Sequence, residues 1–377
     1  MSDEDRRETY VRTTSAAVVH DKGGPFRIQE VTVAEPRPNE VRVRLTATGI
    51  CHTDLLARDG TLPPAAPAVL GHEGSGVVEA TGSAVTSVSV GDRVVLAPVS
   101  CGECRPCRTG HPMHCAVFLP LNFRGRRADG STAYHGADGT ELNAHFFGQS
   151  AFSRHVVTDA RSAVVVDDRA PLELLGPLGC GFQTGAGAVL NVLRPEPGSS
   201  IAVFGAGAVG LAAIMAARIA GCDRIIAVDL HTHRLRTARE LGATHAYDAA
   251  GGDEVVRRIV GLTHGGADAT VDAVGHPQTV RNAVAALAVG GTAAVLGSGS
   301  GPGQEISLGL GQLFGRTVKG VLEGDSVPAL LIPRLADFFV NGRFPIDRIV
   351  RTYPFEEINK AAEDAAAGRT IKPVLVH

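Results

Sequence analysis

Six residues, Gly205-Ala206-Gly207-Ala208-Val209-Gly210, limit what this chain can fold into more than any other stretch. They follow a short apolar run, Ile201-Ala202-Val203-Phe204, and lead into a helical stretch from Leu211 to about Ala220. A lone GxGxxG is weak, because glycine-rich turns are common. Here it lies between strand and helix, and Arg224 to Val228 read as a second strand ending at Asp229, 22 residues beyond Gly207. Gly205 opens the turn, Gly207 lets the backbone approach a pyrophosphate, and Gly210 lets the helix pack closely with its amino terminus toward the phosphates. Asp229 would accept hydrogen bonds from ribose hydroxyls and repel a 2′-phosphate, which favours NAD over NADP. Arg234 and His231 nearby oppose that repulsion. Strand and helix alternate onward through Ala269–Val274, Thr279–Leu287 and Thr292–Leu296, so a doubly wound dinucleotide-binding domain is expected over 181–325.

The rest of the chain has a different texture. Ala16–His20, Val41–Leu45, Val77–Glu79, Thr86–Val90 and Arg93–Leu96 read as short strands, punctuated by Gly82 and Gly91-Asp92. That pattern suggests a partly open β-barrel, giving an α/β chain of two domains, as 377 residues also imply. Residues 122–143 read as a long loop. The tail from Pro345 returns to strand–helix–strand, and its last strand, Ile371–Val376, is expected to rejoin the first domain. That domain would comprise 1–180 and 326–377. A net charge of -3 offers no basic footprint for nucleic acid or anionic lipid. The polar lead MSDEDRRETYVRTT lacks a signal-peptide core and should be frayed, so a cytoplasmic protein is expected.

Seven cysteines carry the chemistry. Cys101, Cys104, Cys107 and Cys115 form C-x2-C-x2-C-x7-C within a lobe at 98–116, a set that closes on one structural zinc. Disulfides and an iron–sulfur cluster are the competing readings. His111 and His114 lie inside the lobe, but four cysteines already fill a tetrahedral shell. Cys51, His72 and Cys180, each beside glycine-rich or turn-like sequence, form a second set, the three-ligand site that leaves catalytic zinc an open position. Taken singly, each of the three reads as core filler or a satisfied turn histidine. Cys222 is read as a small buried filler.

Gly71-His72-Glu73-x2-Gly76-x5-Gly82, the cysteine lobe and the GxGxxG together resemble the zinc-dependent medium-chain alcohol dehydrogenases. Phe146-Phe147-Gly148-Gln149-Ser150 and the run around Cys180 are most similar to the aryl-alcohol and geraniol dehydrogenase branch. The resemblance implies a GroES-like catalytic domain around a Rossmann domain, two zinc ions per subunit, NAD, and oxidation of primary aromatic or allylic alcohols. Oxidation of a formaldehyde–thiol adduct and a redox-neutral lyase are the alternatives. It further implies that Thr53 takes the substrate proton, Asp54 orients His72, and Glu73 approaches the metal during ligand exchange. His52 and Lys372 fall at positions beside the pyrophosphate. A relay histidine common in the family is absent, since Leu56 stands there. Leu56, Ala97, Phe146 and Phe147 are the expected pocket residues. The long segment between Cys115 and Phe146 is similar to that of dimeric members, so a homodimer is expected, with a homotetramer the other possibility.

Overall fold

An antiparallel hairpin opens the structure, β1 (Val11–Val19) on β2 (Phe26–Ala34), with Val11 opposite Ala34 and Val19 opposite Phe26. This computed structural model describes residues 11–297, 299 and 304–377. The first ten residues of the expected frayed lead lie outside that range, and from Val11 the chain is already strand. β3 (Glu40–Gly49) buries Val41, Val43 and Leu45, while Arg42 and Arg44 turn out to Glu35 and Glu79. The period of two seen in the sequence is what sets that face. After α1 (His52–Arg58) come β4 (Ala68–Val69), β5 (Gly74–Thr81) and β6 (Arg93–Leu96). α2 (Arg105–Arg108) belongs to the cysteine lobe, and α3 (Phe118–Phe123), β7 (Tyr134–Gly136), β8 (His155–Asp159) and β9 (Ala163–Val165) complete this half. The strands form two sheets, β4-β1-β2-β7 and β3-β5-β6-β9, the second extended beyond β3 by two strands from the end of the chain and with β8 also on β3, which is the GroES-like half-barrel.

Two segments differ from the sequence reading. Thr86–Val90 is not a strand: the Ser89 N–H donates to Asp92 Oδ2 and the Gly91 N–H to Val78 O, so the backbone turns. Nor is 122–143 loop throughout. Asn122 bonds both the N–H and the carbonyl of Val99, and β7 adds to β2 with Tyr134 fully buried. Those backbone groups find partners far away in sequence, which local composition does not record.

α4 (Leu172–Leu175) and α5 (Gly181–Gly187) lead into the second half. There follow β10 (Ser200–Phe204), α6 (Ala208–Ala220), β11 (Arg224–Asp229), α7 (Thr232–Leu241), β12 (His245–Asp248) and α8 (Asp253–Leu262). β13 (Ala267–Asp272), α9 (Pro277–Ala285), β14 (Leu287–Val295) and β15 (Thr317–Gly320) complete a parallel sheet ordered β12-β11-β10-β13-β14-β15. Strand order reverses at β10, so the crevice beyond its carboxyl end is the ligand position in such a sheet. After α10 (Pro328–Val340), β16 (Val350–Pro354), α11 (Ile358–Ala366) and β17 (Lys372–Val376) return the chain to β3, Val374 lying opposite Gly49. One apolar cluster runs from Val95 and Leu178 through Phe182 to Leu211 and Ile214, so the sheet that holds β6 and the parallel sheet share a core. Each such side chain, fully buried, contributes about 1.5–3 kcal/mol.

Candidate active site

Three remote segments meet where α1 starts. Cys51 caps that helix, and its N–H donates to Asp54 Oδ2 at 2.9 Å. The other oxygen of this buried carboxylate accepts from the Gly71 N–H at 3.1 Å and from His72 Nδ1 at 2.8 Å. Gly71 must be glycine: its φ is +89°, and a Cβ there would stand 2.5 Å from the Phe152 nitrogen. With Nδ1 bound, His72 Nε2 is left buried and without a hydrogen-bond partner. Donor atoms of Cys51, His72, Glu73 and Cys180 all lie within 4.8 Å of one another. A hydrogen bond from Cys180 holds the Cys51 thiol well below its ordinary range against burial, and raises Cys180 in return. Burial opposes a charge on His72, but the facing Asp54 carboxylate carries its pKa well above the ordinary value.

A strained segment braces the imidazole. His145, Phe147 and Ser150 have φ of +66°, +50° and +56°, left-handed conformations that cost of order 1–3 kcal/mol each. In return Phe147 stacks on His72 with centroids 4.3 Å apart, and Phe146 meets the same ring edge-on at 5.5 Å. Gln149 then spans the Glu73 peptide, its Nε2 donating to His72 O (3.0 Å) and its Oε1 accepting from the Gly74 N–H (3.1 Å).

The four lobe cysteines also gather, with sulfur separations of 3.4, 3.9 and 4.0 Å among the contacting pairs. Four thiolates around a tetrahedral zinc at about 2.3 Å would lie about 3.8 Å apart. A disulfide would need about 2.05 Å, and all seven cysteines are free. Backbone N–H groups of Cys101, Cys104 and Ala116 point at lobe sulfurs, which favours thiolates; the N–H groups of Ala116 and then Cys107 help bring Cys104 down to about 6. At the other ligand cleft, Gly205 has φ +94° and a Cβ on Gly207 would meet nothing within 4 Å, leaving room for phosphate at the α6 amino terminus. A Cβ on Gly210 would strike Gly205 O at 1.7 Å. Asp229 accepts the N–H groups of Ala206 (2.7 Å) and His231 (2.8 Å), and Arg234 lines the same pocket of about 520 Å³.

Residues 37–168 match the family described as "Alcohol dehydrogenase GroES-like domain", and residues 208–338 match "Zinc-binding dehydrogenase". Geraniol dehydrogenase of Castellaniella defragrans is 44% identical over 367 residues, 97% of this chain and 98% of that protein. This chain is a zinc-dependent medium-chain alcohol dehydrogenase. A zinc-binding-domain alcohol dehydrogenase from Burkholderia ambifaria superposes with TM-score 0.95 at 48% identity, covering 97% of this chain and 99% of that one. Benzyl alcohol dehydrogenase from Acinetobacter calcoaceticus gives 0.93 at 42% identity with the same coverage. As a family member the dehydrogenase uses zinc, and a zinc-binding dehydrogenase from Sinorhizobium meliloti 1021, 25% identical with TM-score 0.77 over 97% of this chain and 100% of that one, is bound to NADP. The two gathered donor sets fit zinc, one as four thiols and one as two thiols with an imidazole whose second nitrogen a carboxylate orients.

Other expected site residues of the dehydrogenase fall as follows. Thr53 Oγ1 lies 3.7 Å from Cys51 Sγ. His52 is exposed on a cleft of about 360 Å³ shared with Gly207, Gly210 and Lys372. Lys372 is nonetheless buried, with Nζ 2.8 Å from both Glu73 oxygens and 3.1 Å from Ile50 O. Leu56 is half-buried on α1. Ala97 is fully buried, in one apolar cluster with Val95, Val164 and Leu178, its N–H held by Ser162 O. One neighbour of the cluster was not anticipated. Glu323 has φ +48° and is buried with Oε1 3.9 Å from Cys180 Sγ, while Oε2 takes Gln183 and Thr184 at 3.3 Å. Burial pushes its carboxyl up to about 7. The sequence signal was an acid in Glu323-Gly324-Asp325 immediately after the apolar Val321-Leu322.

Proposed function

We propose that this dehydrogenase oxidises primary aromatic or allylic alcohols, terpenoid ones included, to aldehydes, and runs the reverse reaction, with NAD. The observation that carries the reading is the apolar aromatic wall, Phe146 and Phe147, against the imidazole of the Cys51–His72–Cys180 cluster. The geraniol and benzyl alcohol relatives support the same substrate class. Cys51, His72 and Cys180 would hold the catalytic zinc, and Cys101, Cys104, Cys107 and Cys115 the structural one. Bound there, the catalytic zinc supplies Lewis acidity toward an alcohol oxygen, and the nicotinamide supplies the hydride acceptor. Asp54 keeps the His72 proton on Nδ1, so Nε2 stays a donor atom. Phe147 shields one face of that ring from water. Thr53 Oγ1 would accept the alcohol proton; with Leu56 in the relay position, the proton would pass on to water or another base.

Asp229 beside the ribose position supports NAD over NADP. The shared sheet of β3, β16 and β17 supports a catalytic unit of 1–180 and 326–377, with 181–325 as the dinucleotide unit. Exposed Val289, Leu310 and Phe314 near β15, an outer strand of the parallel sheet, support a homodimer. Among the described residues no helix is long and apolar enough to cross a membrane, and seven free thiols suit a reducing cytoplasm. The test is a panel of alcohols with NAD, followed by absorbance of the reduced nicotinamide. Benzyl alcohol and geraniol should exceed ethanol in kcat/KM. Ethanol at the head of the panel would defeat the reading, as would formaldehyde that turns over best with added thiol.

A further inference from the structure

Shortly after β15 the backbone turns left-handed at three residues in a row: φ is +48° at Glu323, +68° at Gly324 and +45° at Asp325. For a glutamate and an aspartate, such a backbone persists only where the surroundings over-determine it. Gly324 is pressed onto α5, because a Cβ there would stand 2.4 Å from Gln183 O and 2.8 Å from Gly187 Cα. Asn191 Nδ2 donates to its carbonyl at 3.1 Å, and Ser326 Oγ donates to Gln183 Oε1 at 3.0 Å. The turn sends its two acids to the two cysteine sites. Glu323 reaches Cys180, whereas Asp325 accepts from His114 Nε2 at 2.9 Å and from Lys319 Nζ. His114 directly precedes Cys115 of the lobe.

Glu323 also grips the backbone around Cys180. Gln183 Nε2 donates to Gly179 O at 2.6 Å and to Glu323 Oε2 at 3.3 Å. Thr184 Oγ1 shares its hydrogen between Cys180 O at 2.9 Å and the same Glu323 oxygen at 3.3 Å. The carbonyls on both sides of Cys180 are held by side chains that one carboxylate orients. Cys180 needs the hold, since its φ of -143° and ψ of -92° fit neither helix nor strand. We propose that this turn ties the lobe to the catalytic cluster. Glu323 is a positioning residue that clamps the segment presenting Cys180, and the bond from His114 to Asp325 keeps Glu323 in place. The tie sets how firmly the cluster keeps its metal, and a lobe that loses its own metal loosens Cys180 through it. The inference rests on the two metal sites proposed above.

The test uses full-length protein with Co(II) in the catalytic cluster and zinc in the lobe. Glu323→Ala and Asp325→Ala should each shift the thiolate-to-cobalt absorption and speed cobalt loss to a chelator about fivefold or more. Glu323→Gln keeps an acceptor for Gln183 and Thr184, so it should stay near the parent. Glu323→Leu fills the same space and serves if Glu323→Ala misfolds. Cys104→Ser with cobalt in the catalytic cluster should reproduce the Asp325→Ala spectrum, and the double variant should go no further than either single one. Parent-like cobalt loss in Asp325→Ala, or additive effects in the double variant, would overturn the tie to the lobe. Parent-like behaviour of Glu323→Ala, or Glu323→Gln as altered as Glu323→Ala, would overturn the clamp. Cobalt without thiolate charge-transfer absorption in the parent would instead sink the ligand assignment.

Discussion

The two cysteine-bearing sites are built on opposite plans. In the lobe, the four sulfurs fall between residues 101 and 115, are mostly half-exposed, and take hydrogen bonds from the backbone of their own loop. In the catalytic cluster the donors run from residue 51 to residue 180, are mostly buried, and are steadied by side chains from elsewhere: Asp54, Phe147, Gln149 and Lys372. The lobe has almost no core of its own beyond Met113, Cys115 and Phe118, so a metal bound there would contribute largely to folding free energy. The cluster is held in place by two sheets and a shared core, which would leave the affinity for a metal there available for chemistry.

That contrast breaks most sharply at His72. His72→Gln keeps most of the volume and removes the imidazole, and should lower kcat/KM on the order of 10³-fold or more, the worth of several kcal/mol of Lewis-acid stabilisation. Tm should move little by comparison. Calorimetry beside steady-state kinetics checks both; near-parent turnover with a collapsed Tm would reverse the roles of the two sites. Cys104→Ser should do the opposite. Loss of the lobe metal should lower Tm on the order of 10 °C, while kcat/KM per folded active site stays within a few-fold. A Cys104→Ser enzyme as dead as His72→Gln would show that the lobe is part of the chemistry.

The same contrast explains what could be read from the residues. The lobe is legible because C-x2-C-x2-C-x7-C is a local pattern, and the glycine loop because strand, turn and helix are contiguous. Cys51, His72 and Cys180 needed their surroundings: singly each reads as core filler or a satisfied turn histidine. What holds them was harder still. Gln149 reaches His72 across 77 positions, and Lys372 reaches Glu73 across 299. No local periodicity encodes either pairing: Lys372 borders the glycine-loop cleft, but its burial against Glu73 was invisible in the sequence.

Asp54 sharpens the comparison at a finer level, because the lobe has no equivalent of it. Asp54→Asn preserves shape but weakens the grip on His72 Nδ1, and should cost 10–100-fold in catalytic metal affinity, in the range of about 10–100-fold typical of groups that orient a ligand. Chelator competition measures it, with the lobe metal retained as the internal control. Equal loss from both sites would mean general destabilisation instead of a lost orienting bond.

The smallest effect expected is one of pH, and it reaches the cluster through its brace. His145 begins the left-handed segment that sets Phe147 on His72, and its Nε2 accepts the Ala133 N–H at 3.1 Å. Burial, joined by Arg127, Arg37 and Arg126, lowers its pKa to about 3 from 6.5. Between those values the unfolded chain binds a proton that the folded one refuses, so stability is lost as pH falls from 6.5 toward 3. At about pH 5 the contribution is on the order of 2 kcal/mol, a Tm decrease of a few degrees beyond that of other groups. His145→Gln keeps an acceptor for Ala133 without the titration, so its Tm should fall less than the parent's between about pH 7 and about pH 5. Parallel Tm profiles for the two proteins would show that the imidazole takes up a proton in place, and the rigidity assigned to the brace around His72 would fall with it.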